Sequence, residues 1–86
     1  MKFGYRPSGV CSEYIDVELK DGKIAAVRFE GGCPGSLTAV SRLVVGMTPR
    51  QAIGMLRGIP CGGKPTSCPD QLARALQAHL DSGKAE

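Results

Sequence analysis

The stretch "SEYIDVELKDGKIAAVRF", residues 12–29, decides the fold. Ile15, Val17 and Leu19 alternate with Tyr14, Asp16 and Glu18, the period of two that gives a strand one buried and one solvated face. Asp21-Gly22 supplies the turn, and two registers compete for the hairpin. A two-residue loop sets Ile15 and Val17 opposite Arg28 and Ala26. A three-residue loop, with Gly22 in the left-handed conformation, sets Leu19, Val17 and Ile15 opposite Lys23, Ala25 and Val27. The second register is the expected one. The strands then span about 14–19 and 23–29, and an N-terminal strand can extend the hairpin into a small antiparallel sheet.

Downstream, "EGGCPGS" (30–36) breaks the strand and the period becomes helical, with Leu37, Val40, Leu43 and Val44 on one side. Ser36 is the expected N-cap and Gly46 the stop, for a helix at about 37–45. Thr48, Pro49 and Gln51 make a capping box with proline in the first turn, and Ala52, Ile53 and Leu56 face inward over about 49–57. Gly58 and Pro60 end that helix. A third, about 69–82, starts at Pro69 and carries Leu72, Ala75, Leu76 and Leu80 at helical spacing, with Gly83 at its end. The expected class is α+β: an antiparallel hairpin or small sheet covered by three helices, one domain over 1–86.

The chain has 86 residues, 42% of them hydrophobic and 22% charged, and no apolar run long enough to span a bilayer. The start, "MKFGYRPSGV", lacks the apolar core of a secretory signal, so a cytoplasmic, reducing setting is expected. Net charge is +3 with scattered basic residues, and the aromatics are only Phe3, Tyr5, Tyr14 and Phe29. Neither a basic stripe nor a stacking platform supports nucleic-acid binding.

A domain this small has little margin from apolar burial alone, so a staple would help, and four cysteines with a single histidine point to thiols as the means. In a reducing setting such thiols suit metal ligation or redox chemistry before disulfides. Cys11 precedes the first paired strand, Cys33 follows the second, and Cys61 and Cys68 flank the last loop. Strand pairing brings the first two together, and the loop need only fold over them. Cys33-Pro34 and Cys68-Pro69 each stand before a helix, where unpaired N–H groups and the dipole favour an anionic sulfur. The pairs Gly31-Gly32 and Gly62-Gly63 permit tight backbone turns, and Pro34 and Pro69 start helices cleanly. A tetrahedral zinc, worth about 10–16 kcal/mol of apparent binding free energy, outweighs a disulfide at about 2–4 kcal/mol. The spacing contains no C-x-x-C pair. Two alternatives therefore stay open: Cys11 or Cys33 as a small buried apolar residue, and Cys61 with Cys68 as a thiol/disulfide pair.

The remaining residues carry blander readings. His79 is expected as a partly exposed histidine near a helix C-terminus. Asp70 reads as a dipole-compensating carboxylate whose functional claim is its closeness to Cys68, and Arg42, Arg50, Arg57 and Arg74 as solvated helix faces. "GGCPGS" allows an anion at a helix start but is no P-loop, since Lys64 is followed by Pro65. No Ser-His-Asp or Cys-His pair and no paired carboxylates mark an enzyme.

The segments "GVCS" (9–12), "GGCPGSLTAV" (31–40), "LVVGM" (43–47) and "CGGKPTSCPDQLARAL" (61–76) resemble the TSCPD domain family over nearly the whole chain. That family occurs as short free-standing bacterial proteins and as a C-terminal domain of adenosylcobalamin-dependent ribonucleotide reductases. The resemblance implies a role beside ribonucleotide reductase or a related nucleotide-metabolism protein, and zinc. It implies a shared site at Cys11, Cys33, Cys61 and Cys68 supported by Gly31, Gly32, Pro34, Gly62, Gly63, Pro69 and Asp70. It also points to the ribonucleoside-diphosphate reductase label, although a reductase's radical and substrate sites belong to a far larger catalytic domain. Ser36 stands where the family more often has Asn, and both cap helices. A looser similarity runs from "GGCPGSLTAVSRLVVGMTPRQAI" (31–53) to iron–sulfur cluster scaffold proteins, which keeps a cluster open as cofactor. The expectation is a four-cysteine zinc-binding module that is not an enzyme by itself, with a redox partner or cluster carrier as the alternatives. A homodimer is reasonable for so small a domain with open strand edges.

Overall fold

Three strands precede three helices in the order β1 (Lys2–Tyr5), β2 (Ser12–Lys20), β3 (Lys23–Gly31), α1 (Pro34–Leu43), α2 (Pro49–Leu56) and α3 (Cys68–Asp81). The class is α+β. The computed structural model describes all residues except 11, 33, 61, 62, 64 and 83–86, and the backbone alone at 34–36. β2 is the central strand, antiparallel to both neighbours, so the N-terminal strand does join the sheet. The Met1 ammonium donates to Leu19 O at 2.8 Å, and Leu19 N donates to Met1 O at 2.7 Å.

The hairpin register differs from the expected one. Asp21 (φ 54) and Gly22 (φ 78) are both left-handed, as in a two-residue type I′ turn, so Lys20 faces Lys23 and Leu19 faces Ile24. The extra residue comes one step later, at Ala25, after which Val17 pairs with Val27 and Ile15 with Phe29. The reason lies in β3 itself. Ile24 has the opposite parity to Val27 and Phe29, and only an inserted residue between them puts all three on one face. That face is the buried one: Ile15, Val17, Leu19 and Ile24 share one core with Val44, Ala52, Leu72 and Leu76.

α1 packs along β3 and α2 along α3. The chain leaving α1 also lies on the outer edge of β3, with Ile24 N donating to Met47 O at 2.8 Å and Gly46 N to Ile24 O at 2.9 Å, which blunts that edge against further pairing. α1 begins at Pro34, not at 37, because proline needs no N–H partner in a first turn. Ser36 is thus a helical residue rather than the cap. Leu43 ends that helix exposed, and Val44, in the turn beyond it, enters the core instead. α2 keeps its expected capping box: Gln51 N donates to Thr48 Oγ1 at 3.2 Å and Thr48 N to Gln51 Oε1 at 3.0 Å. Arg42, Arg50 and Arg57 are exposed as expected. Among the described residues no helix is long and apolar enough to cross a membrane.

Candidate functional site

The start of α3 is built by the pentapeptide 66–70. Ser67 is the N-cap, extended at φ −150 and ψ 171, and its Oγ accepts from Asp70 N at 3.1 Å. Cys68, buried, is the first helical residue. Ser12 Oγ donates to Cys68 Sγ at 3.1 Å. A second sheet irregularity makes that contact: Ser12 pairs with Gly31 and Tyr14 with Glu30, leaving Glu13 as an inserted residue. Ser12 thereby joins the buried face of Ile15, where alternation would turn it to solvent. Bulges commonly re-aim a side chain beside a site in this way. Replacing Ser12 by Ala is expected to cost about 1 kcal/mol in urea unfolding, and an unchanged midpoint would remove the bond from the account.

Asp70 is fully buried and accepts three hydrogen bonds. Oδ1 takes Gly58 N at 2.7 Å, while Oδ2 takes the Thr66 hydroxyl and Arg74 Nε at 2.9 Å. Burial opposes its ionisation, but the bonds from Thr66, Gly58 and Arg74 outweigh burial and hold the carboxyl below its usual range. Two readings are thus corrected. Asp70 is a hydrogen-bonding hub rather than a plain dipole charge, and Arg74, although its side chain is 56% exposed, is paired to it. Gln71 extends the network, donating from Nε2 to Thr66 Oγ1 at 2.9 Å and accepting Ser8 N on Oε1 at 3.2 Å. The N-terminal segment is thereby tied to the same helix start.

Gly31 (φ 77) and Gly32 (φ 82) are both left-handed. A β-carbon on Gly32 would lie 2.8 Å from Leu37 Cδ1 and 3.4 Å from Ser12 N. Gly32→Ala is therefore expected to lose about 1–2 kcal/mol from the left-handed backbone, read as a lower urea midpoint; a variant as stable as the parent would show that this close approach is slack. Pro69 is half-buried in the first turn of α3, and Gly63 is exposed with open space around it. Cys11, Cys33, Cys61 and Gly62 lie outside the described residues, as does the Pro34 side chain. Among the described residues no group of three metal-ligating side chains occurs.

Sequence reasoning missed Ser12, Gly58, Thr66, Ser67 and Gln71 as partners of this site. The His79 reading is also corrected: the residue is 6% exposed and its ring stacks on Phe3 with centroids 4.2 Å apart at 9°. A signal was present, since His79 follows Leu72 by seven and Leu76 by three, on the buried face. Its Nε2 has no hydrogen-bond partner among the described residues.

A family model described as the TSCPD domain matches residues 3–80, nearly the whole chain. This chain belongs to the TSCPD domain family. Comparison with curated proteins and with solved structures returned no match. In this TSCPD domain four of the five letters of the signature have visible structural roles. Thr66 donates to Asp70, Ser67 caps the helix, Cys68 receives the Ser12 hydroxyl, and Asp70 gathers Gly58, Thr66 and Arg74.

Proposed function

We propose that this chain is a small zinc-binding module in which Cys11, Cys33, Cys61 and Cys68 hold one metal ion, and that it accompanies a ribonucleotide reductase or a related nucleotide-metabolism protein in the reducing cytoplasm. The observation that carries the metal reading is the Ser12 hydroxyl on Cys68 Sγ. Ser12 is bonded directly to Cys11, about 3.8 Å away between α-carbons. Gly32, bonded to Cys33, approaches the Ser12 backbone closely. The chain neighbour of Cys11 therefore touches Cys68, and the chain neighbour of Cys33 lies against that same Ser12. Cys61 belongs to the segment that starts three residues earlier at Gly58, which is tied to Asp70.

The residues suit the group. A buried sulfur at a helix start, receiving a hydroxyl proton, fits a metal-bound thiolate, because hydrogen bonds to ligand sulfur orient it and moderate its charge. The metal supplies a structural link between the N-terminal segment, the end of the hairpin and α3. Burial of Cys68 favours this reading over a thiol that must be reached by a redox partner. The link to ribonucleotide reductase rests on family membership, and the module acts by binding rather than by catalysis.

Thiol titration tests the assignment against its rivals. A zinc site has four thiols that react only after a chelator is added. A redox pair instead has two, Cys61 and Cys68, that vanish reversibly on mild oxidation without metal. Visible absorption after reconstitution with iron and sulfide, with no zinc retained in preference, would transfer the site to a cluster carrier. Pull-down of the reductase by the zinc-loaded chain, lost in Cys68→Ser, supports the partner; equal recovery by the variant separates the partner from the metal.

A further inference from the structure

Both ends of the segment 58–66 are tied to one carboxylate. Gly58 N donates to Asp70 Oδ1 at 2.7 Å and the Thr66 hydroxyl donates to Asp70 Oδ2. We infer that Asp70 is the positioning residue of the cysteine site, fixing the segment that carries Cys61 against the helix turn that carries Cys68. This rests on the reading of the four cysteines as one site.

The side chains around Asp70 are arranged for an anion with two accepting oxygens. Thr66 Oγ1 accepts from Gln71 Nε2 at 2.9 Å, so its own proton is directed at Asp70, and Arg74 Nε approaches the same oxygen at 2.9 Å. An asparagine at position 70 has only one accepting atom, and its amide would face donors on one side. Ser67 Oγ holds the Asp70 backbone N–H at 3.1 Å, so the carboxylate is registered to the turn that begins at Cys68. A segment pinned at both ends has less freedom to lose when its thiol takes a shared ligand than an untied one, because the cost of bringing its ends together is already met. Partners of this kind behind ligating side chains typically change metal affinity by about 10–100-fold.

Cobalt(II) serves as the probe, because its thiolate charge-transfer band scales with the number of bound sulfurs. The full chain is compared with Asp70→Asn and with Leu19→Val, which loosens the core near the end of β2 away from Ser12 and removes none of the hydrogen bonds at Asp70. Wild type and Leu19→Val are expected to give the same band. Asp70→Asn should reach about three quarters of it or less, as for three sulfurs in place of four. It should also surrender cobalt to a chelator about 10–100-fold faster than Leu19→Val does. An Asp70→Asn protein matching Leu19→Val in band and release overturns the inference. Should Asp70→Asn not fold, Thr66→Val, which removes one of the two ties, decides on the same criteria.

A wild type with no thiolate band refutes the metal reading instead. The folded, metal-free chain then answers through its Cys61–Cys68 disulfide in a glutathione buffer. There two thiols give two electrons and two protons to glutathione disulfide, which leaves as two glutathione thiols. A disulfide disfavoured by about tenfold or more in Asp70→Asn, and not in Leu19→Val, sustains the positioning role; an unchanged equilibrium refutes it.

Discussion

Removing the proposed zinc ion is expected to unfold this protein. Among the described residues its large, fully buried apolar side chains are Ile15, Val17, Leu19, Ile24, Val44, Pro49, Leu72 and Leu76. At 86 residues apolar burial leaves such a core a small margin over conformational entropy. Structural zinc contributes about 10–16 kcal/mol of apparent free energy, as large as the whole stability of an ordinary domain at about 5–15 kcal/mol. Chelation under reducing conditions should therefore lower the melting temperature by more than about 20 °C or abolish the cooperative transition, with recovery on adding zinc. A chelated protein that melts within about 4 °C of the untreated one would contradict a structural metal, whatever else the cysteines do.

The second large effect belongs to Asp70. Replacing it with Ala leaves Gly58 N–H and the Thr66 hydroxyl without their partner in a partly buried setting, and hydrogen bonds to a charged group carry about 1.5–3 kcal/mol each, less whatever water recovers. A net loss of about 2–4 kcal/mol is expected from urea unfolding of the zinc-loaded protein. The acid limb follows from the carboxyl's lowered pKa. The folded chain holds its Asp70 proton more weakly than the unfolded chain, whose Asp titrates at about 3.9. The stabilisation is therefore complete above that value and lost as pH falls through the lower, folded-state value. The difference in stability between wild type and Asp70→Asn should be constant at neutral pH and shrink below about pH 3.9. A difference that grows in acid would reverse the sign and remove the carboxylate from its role.

Much of the fold was legible because it depends on local periodicity. Ile15, Val17 and Leu19 announced β2, the Thr48–Gln51 box announced α2, and Leu72, Ala75 and Leu76 announced α3. Register was not legible by counting from the turn, because two inserted residues, Glu13 and Ala25, each reverse the side-chain alternation. The parity change between Ile24 and Val27 carried the hint. The site was half legible. Cysteines and glycines stand out by type, but Ser12 meets Cys68 across 56 positions and Gly58 meets Asp70 across 12, and no local pattern encodes such pairs. Asp70 looked ordinary because an acidic residue in a first helical turn satisfies the dipole wherever it points. The return of the 58–66 segment onto the same turn gives it Gly58 and Thr66 as partners, beside Arg74 on its own helix.

The most direct measurement is anomalous scattering at the zinc edge from crystals of anaerobically purified protein. The account predicts one peak about 2.3 Å from the sulfur of each of Cys11, Cys33, Cys61 and Cys68. Four sulfurs scattered through separate apolar surroundings, with no metal peak among them, would contradict it.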